Sequence, residues 1–183
     1  AHFVSPYVRD LMDQDHKTLT ELIKQRRIPE VVEILTIVHP SIVDIQPLNE
    51  EGISMIYVDV GGPTLLPISL LGAGVSNVLH IVLPLVQYHN ANILIDEFED
   101  GLHHSLFAPL LRIVISLATK NNNQVFISSH SDEFLRELVS VASEDNNEDI
   151  AFFRLARRGL RGAVPKHSLA EIREILSANL DIR

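Results

Sequence analysis

At 183 residues, the chain is long enough for one domain with a hydrophobic core, and its hydrophobic content of 46% excludes a disordered protein. It contains no cysteine, which excludes disulfides and thiolate metal sites and favours a cytoplasmic protein. The formal net charge of −9 excludes a general attraction to nucleic acid or anionic lipid and leaves only local basic patches open.

The first part of the chain predicts helices followed by an antiparallel meander. Residues 2–6 have the pattern of a strand end stopped by proline, and residues 15–40 show helical spacing of apolar side chains. Pro29 is expected to divide this helical segment into two helices. Residues 42–70 contain three strand-like runs separated by turn residues, at 42–48, 53–60 and 65–70.

No Asp, Glu, Lys or Arg occurs between Asp59 and Asp96, a stretch long enough to cross a bilayer. Proline, glycine and polar residues interrupt it throughout, so no clean run of about 20 apolar residues remains. We therefore expect several buried elements in succession and no membrane contact.

Within that stretch, a glycine-containing loop leads into an apolar helix expected over residues 78–86. The loop has the sequence Leu71-Gly72-Ala73-Gly74-Val75-Ser76-Asn77. Glycines at a helix start leave backbone amides open to an anion, which the helix dipole also favours. At Gly74 we expect that a side chain would block close approach of the backbone to such an anion and would meet a left-handed φ. A tight glycine turn without a ligand is the alternative interpretation, because short glycine motifs also arise by chance.

The next segment is an apolar run, residues 91–95, that ends in two adjacent carboxylates, Asp96 and Glu97. Such a run predicts a strand buried on both faces of a parallel sheet, and ligands bind beyond the carboxyl ends of these strands. Two acids at that position repel each other and lose solvation, so we expect a divalent cation and a phosphate-attacking water beside them. Neighbouring residues of a strand point to opposite faces, which predicts different roles for the two acids.

A second buried strand is predicted over residues 124–130, after a helix whose apolar stripe runs through residues 106–117. Strand, helix and strand in this order predict a right-handed parallel βαβ unit. Both strands then deliver polar residues to one edge of the sheet, the two carboxylates from the first and Ser129 and His130 from the second. A merely structural histidine is the alternative for His130.

The last part of the chain predicts an acidic loop at residues 143–149, a hairpin over residues 151–165 and a final helix. The basic hairpin tip, residues 157–161, is a candidate nucleic-acid contact, although an exposed loop without a ligand fits the acidic chain better. Ser168 and Glu171 have the spacing of a capping box, which predicts where the final helix begins.

In this order, the motifs resemble those of ABC-type ATPase heads, in particular the prokaryotic AAA/ABC branch related to the structural-maintenance-of-chromosomes (SMC), RecF-like and overcoming-lysogenization-defect ATPases. The resemblance implies an α/β fold with the parallel sheet of a P-loop NTPase, and ATP and Mg²⁺ as cofactors. It implies that Asp96 of the Walker B motif holds magnesium, that Glu97 polarises the attacking water, and that His130 is the switch histidine contacting the γ-phosphate. It also implies that residues 99–103 form the D-loop, whose Asp100 communicates across a dimer.

The glycine loop resembles the signature motif of these ATPases, which usually runs Leu-Ser-Gly-Gly-Gln. Leu71 and Gly74 match this motif, whereas Gly72, Ala73 and Val75 replace its serine, first glycine and glutamine. The resemblance implies that Gly72, Ala73 and Gly74 bind the nucleotide held by a second subunit.

The chain lacks a P-loop, Gly-x-x-x-x-Gly-Lys-Ser/Thr, whose amides and lysine cradle the β- and γ-phosphates. None of its eight glycines is followed by lysine. The resemblance therefore implies that residues 1–183 form one incomplete lobe, the C-terminal half of an ATP-hydrolysing head, with the motifs in residues 71–183. Its partner would be the P-loop half of the same ATPase. Two heads would form a homodimer around ATP, and this chain alone would be inactive.

Two other functions remain open. The chain could be a non-catalytic interaction lobe that docks on a P-loop partner. It could also be a stand-alone metallohydrolase that uses the acids and histidines near the strand ends, namely Asp96, Glu97, Glu99, Asp100, His103, His104 and His130. Those residues lack a compact ligand spacing such as His-Glu-x-x-His. Metal-dependent turnover by the isolated chain would favour the metallohydrolase over the other functions.

Overall fold

The computed structural model describes residues 2–4, 11–144, 149–154, 156–158 and 161–177. Parts of the predicted acidic loop and of the predicted basic tip lie outside these residues. The chain divides into two compact units, Ala1–Ser128 and Ser129–Arg183, and each unit is described by itself.

The first unit begins with a short strand and two helices, β1 (His2–Val4), α1 (Leu11–Lys24) and α2 (Ile28–Val38). The break between the helices lies at residues 25–27, where Arg26 has a positive φ of 59°. Pro29 stands in the first turn of α2, where its missing N–H leaves no intrahelical hydrogen bond unmade. The predicted division into two helices is confirmed, and the proline lies in the first turn of the second helix.

An antiparallel meander follows, formed by β2 (Asp44–Glu50), β3 (Ile53–Asp59) and β4 (Leu66–Pro67). Glu51 and Gly52 join β2 to β3 with φ values of 50° and 85°, the two positive values that a tight type I′ turn requires. The meander is therefore confirmed. The predicted third strand is wrong beyond Pro67, because proline has no N–H for the ladder, and a 3₁₀ turn occupies Ile68–Leu71.

Helix α3 (Ala73–Gln87) forms the buried centre of the first unit. It begins ahead of the predicted start at Val78, because Gly72 alone makes the turn with a φ of 98°. His80 of α3 is hydrogen-bonded to the buried Asp15 of α1. Burial raises the pKa of the Asp15 carboxyl, and the hydrogen bond and charge of His80 oppose that rise. The apolar residues that α3 buries are Val75, Val78, Leu79, Ile81, Val82, Leu83, Leu85 and Val86.

Two further strands, β5 (Asn92–Ile95) and β6 (Gln124–Ile127), complete a parallel sheet in the order β1-β5-β6. Helix α4 (Phe107–Lys120) connects β5 to β6, which confirms the predicted parallel βαβ unit. Ile93 and Ile95 of β5 are buried. The prediction that the second strand is buried is wrong, because Gln124 and Phe126 alternate as exposed residues and one face of this edge strand is open.

In the second unit, the described residues form two helices and two pairs of antiparallel strands: α5 (Asp132–Glu144), β7 (Phe152–Phe153) with β10 (Lys166–His167), β8 (Ala156–Arg158) with β9 (Arg161–Ala163), and α6 (Leu169–Ser177). Its core is the cluster Val139, Phe152, Ile172 and Leu176. The predicted capping box is confirmed. The Ser168 N–H donates to Glu171 Oε2 at 2.7 Å, and the Glu171 N–H donates to Ser168 Oγ at 3.3 Å.

No helix among the described residues is long and apolar enough to cross a membrane. The charge-free stretch between Asp59 and Asp96 instead forms the end of the meander, the buried helix α3 and the strand β5.

Candidate functional site

Ser128 holds the two carboxylate residues that follow strand β5. Its hydroxyl donates a hydrogen bond to Asp96 Oδ1 at 2.5 Å and accepts one from the Glu97 N–H at 2.9 Å. Its carbonyl oxygen accepts a third, from the Phe98 N–H at 3.2 Å. The pairing of Ile95 with Ile127 in the parallel ladder brings Ser128 to this position. Three successive residues after β5 are therefore fixed by one residue after β6.

Glu97 has a left-handed backbone, with a φ of 50°. A residue other than glycine in this region costs on the order of 1–3 kcal/mol and persists only where its surroundings determine it. Here the surroundings are the bonds to Ser128, the bond from the Asp100 N–H to the Glu97 carbonyl at 2.9 Å, and the buried Phe98 side chain. Because β5 ends at Ile95, the predicted strand alternation does not reach the two acids. The left-handed turn at Glu97 sets its position instead.

The predicted signature loop and the predicted D-loop lie in direct contact. Asn77 Nδ2, in the second turn of α3, donates to the Asp100 carbonyl oxygen at 2.8 Å. A Cβ atom at Gly74 would lie 3.3 Å from the Gly101 carbonyl oxygen, so this glycine lies close to the backbone of the D-loop, and the approach of its own backbone to a nucleotide stays a prediction. The left-handed φ expected there belongs to Gly72, because Gly74 is already inside the helix.

The other polar residues predicted for this sheet edge belong to the second unit. His130 is exposed, and its approach to the two carboxylates stays a prediction. Ser129 Oγ accepts a hydrogen bond from the Ser131 N–H at 3.0 Å, and Ser131 Oγ accepts one from the Phe134 N–H at 3.1 Å. Ser129 thus takes part in the turn that begins α5. The hydroxyl that contacts the two carboxylate residues after β5 belongs to its neighbour Ser128.

An asparagine turn at the end of α4 supports the start of β5 and was not predicted as a contact. Asn121 Nδ2 donates to the Leu85 carbonyl oxygen at 2.7 Å, and Asn123 Oδ1 accepts from the Ala91 N–H at 2.9 Å. Asn121 is 3% exposed. Three consecutive asparagines are the sequence signal that could have indicated this clamp, since each offers both a donor and an acceptor.

The donor set after β5 fits a magnesium ion. Mg²⁺ is usually held by one or two carboxylates together with substrate phosphates and water, and Asp96 is a half-buried carboxylate already oriented by Ser128. Among the described residues, no group of three or more His, Cys, Asp or Glu side chains could hold a metal by itself. The metallohydrolase alternative gains no support from them.

Residues 2–136 match a protein family described as "AAA domain, putative AbiEii toxin, Type IV TA system". A Helicobacter pylori protein described as an ATP/GTP phosphatase is 40% identical over 81 residues. The matched stretch covers 43% of this chain and 22% of that protein, so the chain spans about a fifth of the length of this relative.

Solved structures of SMC ATPases have the same fold. A structure from work on their ATP-driven dimerization and DNA-stimulated activation has a TM-score of 0.60 at 12% identity, and the match covers 88% of this chain and 96% of that one. An SMC head bound to the C-winged helix domain of ScpA has a TM-score of 0.58 at 12% identity, and the match covers 91% of this chain and 56% of that one. A Pyrococcus furiosus SMC head with an extended coiled coil has a TM-score of 0.53 at 13% identity, and the match covers 81% of this chain and 36% of that one. These likenesses establish the P-loop NTPase fold of an SMC-type head.

Proposed function

The chain belongs to the family of AAA domains described as putative AbiEii toxins of type IV toxin–antitoxin systems, and from this premise we propose that it is the Walker B-containing, C-terminal part of an ATP-hydrolysing ABC-type head. The family and the fold are those of nucleotide-hydrolysing ATPases related to SMC proteins. The proposal assigns the chemistry of this class to Asp96 and Glu97, and it assigns the P-loop to another part of the same ATPase.

The arrangement around Ser128 carries the proposal. A hydroxyl that bonds both to the Asp96 carboxylate and to the Glu97 backbone keeps the two acids in a fixed relation. Such preorganisation is what phosphoryl transfer needs, because catalysis there is mostly positioning and electrostatic stabilisation. The left-handed turn at Glu97 contributes to this fixed arrangement.

In the proposed reaction, Asp96 would hold Mg²⁺, which supplies charge neutralisation for the phosphates of bound ATP. Glu97 would accept a hydrogen bond from the attacking water and orient it toward the γ-phosphorus. His130 would donate a hydrogen bond to the γ-phosphate. These roles are those that the family resemblance implies for the matching positions.

The proposed working unit is a homodimer of heads with ATP between them. The amides of Gly72, Ala73 and Gly74 would meet the nucleotide held by the opposite head, and Asp100 would face the opposite P-loop. Related SMC proteins are described as undergoing ATP-driven dimerization, which supports this assembly. Nucleic acid is a further proposed partner, because the same work describes DNA-stimulated activation of those proteins.

The test is Glu97→Gln in the head assembled from this chain and its P-loop half. The amide keeps the size of the side chain but cannot polarise water as a carboxylate does, so turnover should fall by a factor of about 10²–10⁴. ATP binding, measured with a fluorescent analogue, should stay at the wild-type level. Glu33→Gln on the exposed face of α2 is the control and should retain full turnover.

Retention of most turnover by Glu97→Gln would contradict the role given to Glu97. A wild-type complex that forms but never hydrolyses ATP would instead favour the interaction-lobe function. Metal-dependent hydrolysis by the chain without its P-loop half would favour the metallohydrolase.

A further inference from the structure

We propose that Asn77 is a positioning residue that fixes the D-loop to α3, called the signature helix because it carries the predicted signature loop. The D-loop and the signature loop, which both face the opposite head, would then move as one body. This inference rests on the proposed function, which places both segments at the dimer interface. Its structural basis is the hydrogen bond from Asn77 Nδ2 to the Asp100 carbonyl oxygen, 2.8 Å long, between residues 23 positions apart.

The packing around that bond leaves little space for a side chain between the two segments. Gly101 has a φ of 65°, and a Cβ atom there would lie 2.5 Å from Asn77 Nδ2 and 3.7 Å from the Ala73 Cβ. On the opposite side, a Cβ atom at Gly74 would lie 3.3 Å from the Gly101 carbonyl oxygen. Two glycines thus let the backbone of the D-loop lie directly on the first turns of α3, and close-packed contacts of this kind transmit displacement.

The chemistry of the contact requires a donor of asparagine length. Aspartate has the same shape but offers only acceptors, so Asn77→Asp would place a carboxylate against the Asp100 carbonyl oxygen. Alanine removes the hydrogen bond and leaves space beside Gly101. Either change should free the D-loop from the signature helix without touching the carboxylates after β5 or the P-loop.

The functional consequence is a selective loss of turnover. ATP first binds the P-loop of its own head, so the KM for ATP should stay within about twofold of the wild-type value. The turnover number should fall by about tenfold or more in Asn77→Asp, because the D-loop and the signature loop must close on the opposite nucleotide together. Asn49→Asp adds the same charge at an exposed position of β2 and should leave both parameters unchanged.

A double-mutant cycle on the chain itself tests the contact apart from catalysis. Gly101→Ala should lower the melting temperature through both the clash with Asn77 and the left-handed φ. In the Asn77→Ala background only the φ strain remains, so the same substitution should lower the melting temperature distinctly less. This compensation is specific to the contact and would not arise from general destabilisation.

Each outcome has one meaning. Compensation in the cycle together with a lower turnover number at constant KM supports the inference. Equal losses of melting temperature in both backgrounds, or wild-type turnover in Asn77→Asp, overturn it. If the assembled wild-type head hydrolyses no ATP, the proposed function is overturned. The double-mutant cycle then still decides whether Asn77 contacts the D-loop as inferred.

Discussion

Glu97 is the residue where the local geometry and the proposed chemistry meet. Its backbone has a left-handed φ of 50°, which is uncommon for a residue with a long side chain. It lies between Asp96, whose carboxylate is hydrogen-bonded to Ser128, and the buried Phe98. Strained positions cluster at functional sites, although Arg26 and Glu51 of this chain adopt similar φ values in ordinary turns. Stability measurements can test the strain at Glu97 without any nucleotide.

We predict that Glu97→Gly is more stable than Glu97→Ala by about 1 kcal/mol. Both substitutions remove the carboxylate, and they differ in the Cβ atom, which is unfavourable at a φ of 50°. At a residue with ordinary backbone geometry the order is reversed, because glycine loses more entropy on folding. Urea unfolding of the two variants measures the difference, and a higher stability of the alanine variant would contradict a strained Glu97.

At the scale of elements, an ion-pair network joins the start of α2 to the end of α4. Arg27 donates two hydrogen bonds to the Glu30 carboxylate, at 2.8 and 3.0 Å, and Lys120 Nζ lies 3.5 Å from Glu30 Oε2. The hydrogen bonds from Arg27 lower the pKa of Glu30, against a smaller opposing effect of burial. Because the Glu30 side chain is 35% exposed, solvent screening limits what this network contributes.

We predict that Glu30→Gln lowers the free energy of unfolding by about 0.5 kcal/mol at pH 7. The folded-state pKa lies below the ordinary value of 4.5, so this contribution is present above pH 4.5 and is lost as the pH falls through the folded-state pKa. The gap between wild type and variant should therefore close in strongly acidic solution. Urea unfolding of both proteins at neutral and acidic pH measures it, with Glu33→Gln on the same helix as the control. A gap independent of pH would argue against the ion pair.

The asparagine turn provides a second prediction at this scale. Asn121→Ala leaves the buried Leu85 carbonyl without its donor, which should cost about 1–3 kcal/mol of unfolding free energy. Asn122→Gly is the matched control, because it removes only a solvent-exposed hydrogen bond from Asn122 Nδ2 to Asn90 Oδ1, and glycine accepts the φ of 52° at this position. That variant should stay within about 0.5 kcal/mol of wild type. Equal losses in the two variants would show that the turn, rather than the Asn121 bond, is what matters.

The sequence predicted elements well where periodicity or capping is local. The two N-terminal helices, the meander, the βαβ unit and the Ser168 capping box follow from apolar spacing and turn residues. Helix α5 was missed, although its apolar spacing and the Ser131 cap are a usable signal. Ser128 and Asn77 could not be predicted as contacts, because their partners lie 31 and 23 positions away and depend on strand register and helix packing.

At the scale of the whole molecule, the motifs of residues 71–183 would supply one part of a nucleotide site under the proposed function. The carboxylates after β5 would serve hydrolysis, and the glycine loop at the start of α3 would meet a nucleotide held by the opposite head. The parallel sheet of β1, β5 and β6 positions the carboxylate residues. None of the eight glycines of the chain is followed by the lysine that a P-loop requires.

We therefore predict that the isolated chain binds Mg-ATP no more tightly than about 1 mM, which corresponds to about −4 kcal/mol. The P-loop supplies most contacts to the β- and γ-phosphates in this class, and a net charge of −9 further disfavours an anionic ligand. Titration calorimetry of the chain alone, and of the chain with its P-loop half, compares their affinities for Mg-ATP. Binding should be much tighter only when the P-loop half is present. In that complex, Asp96→Ala should weaken the binding of Mg-ATP through loss of magnesium. Micromolar affinity of the chain alone would mean that it holds ATP by groups other than those identified, and the incomplete-site model would then have to be abandoned.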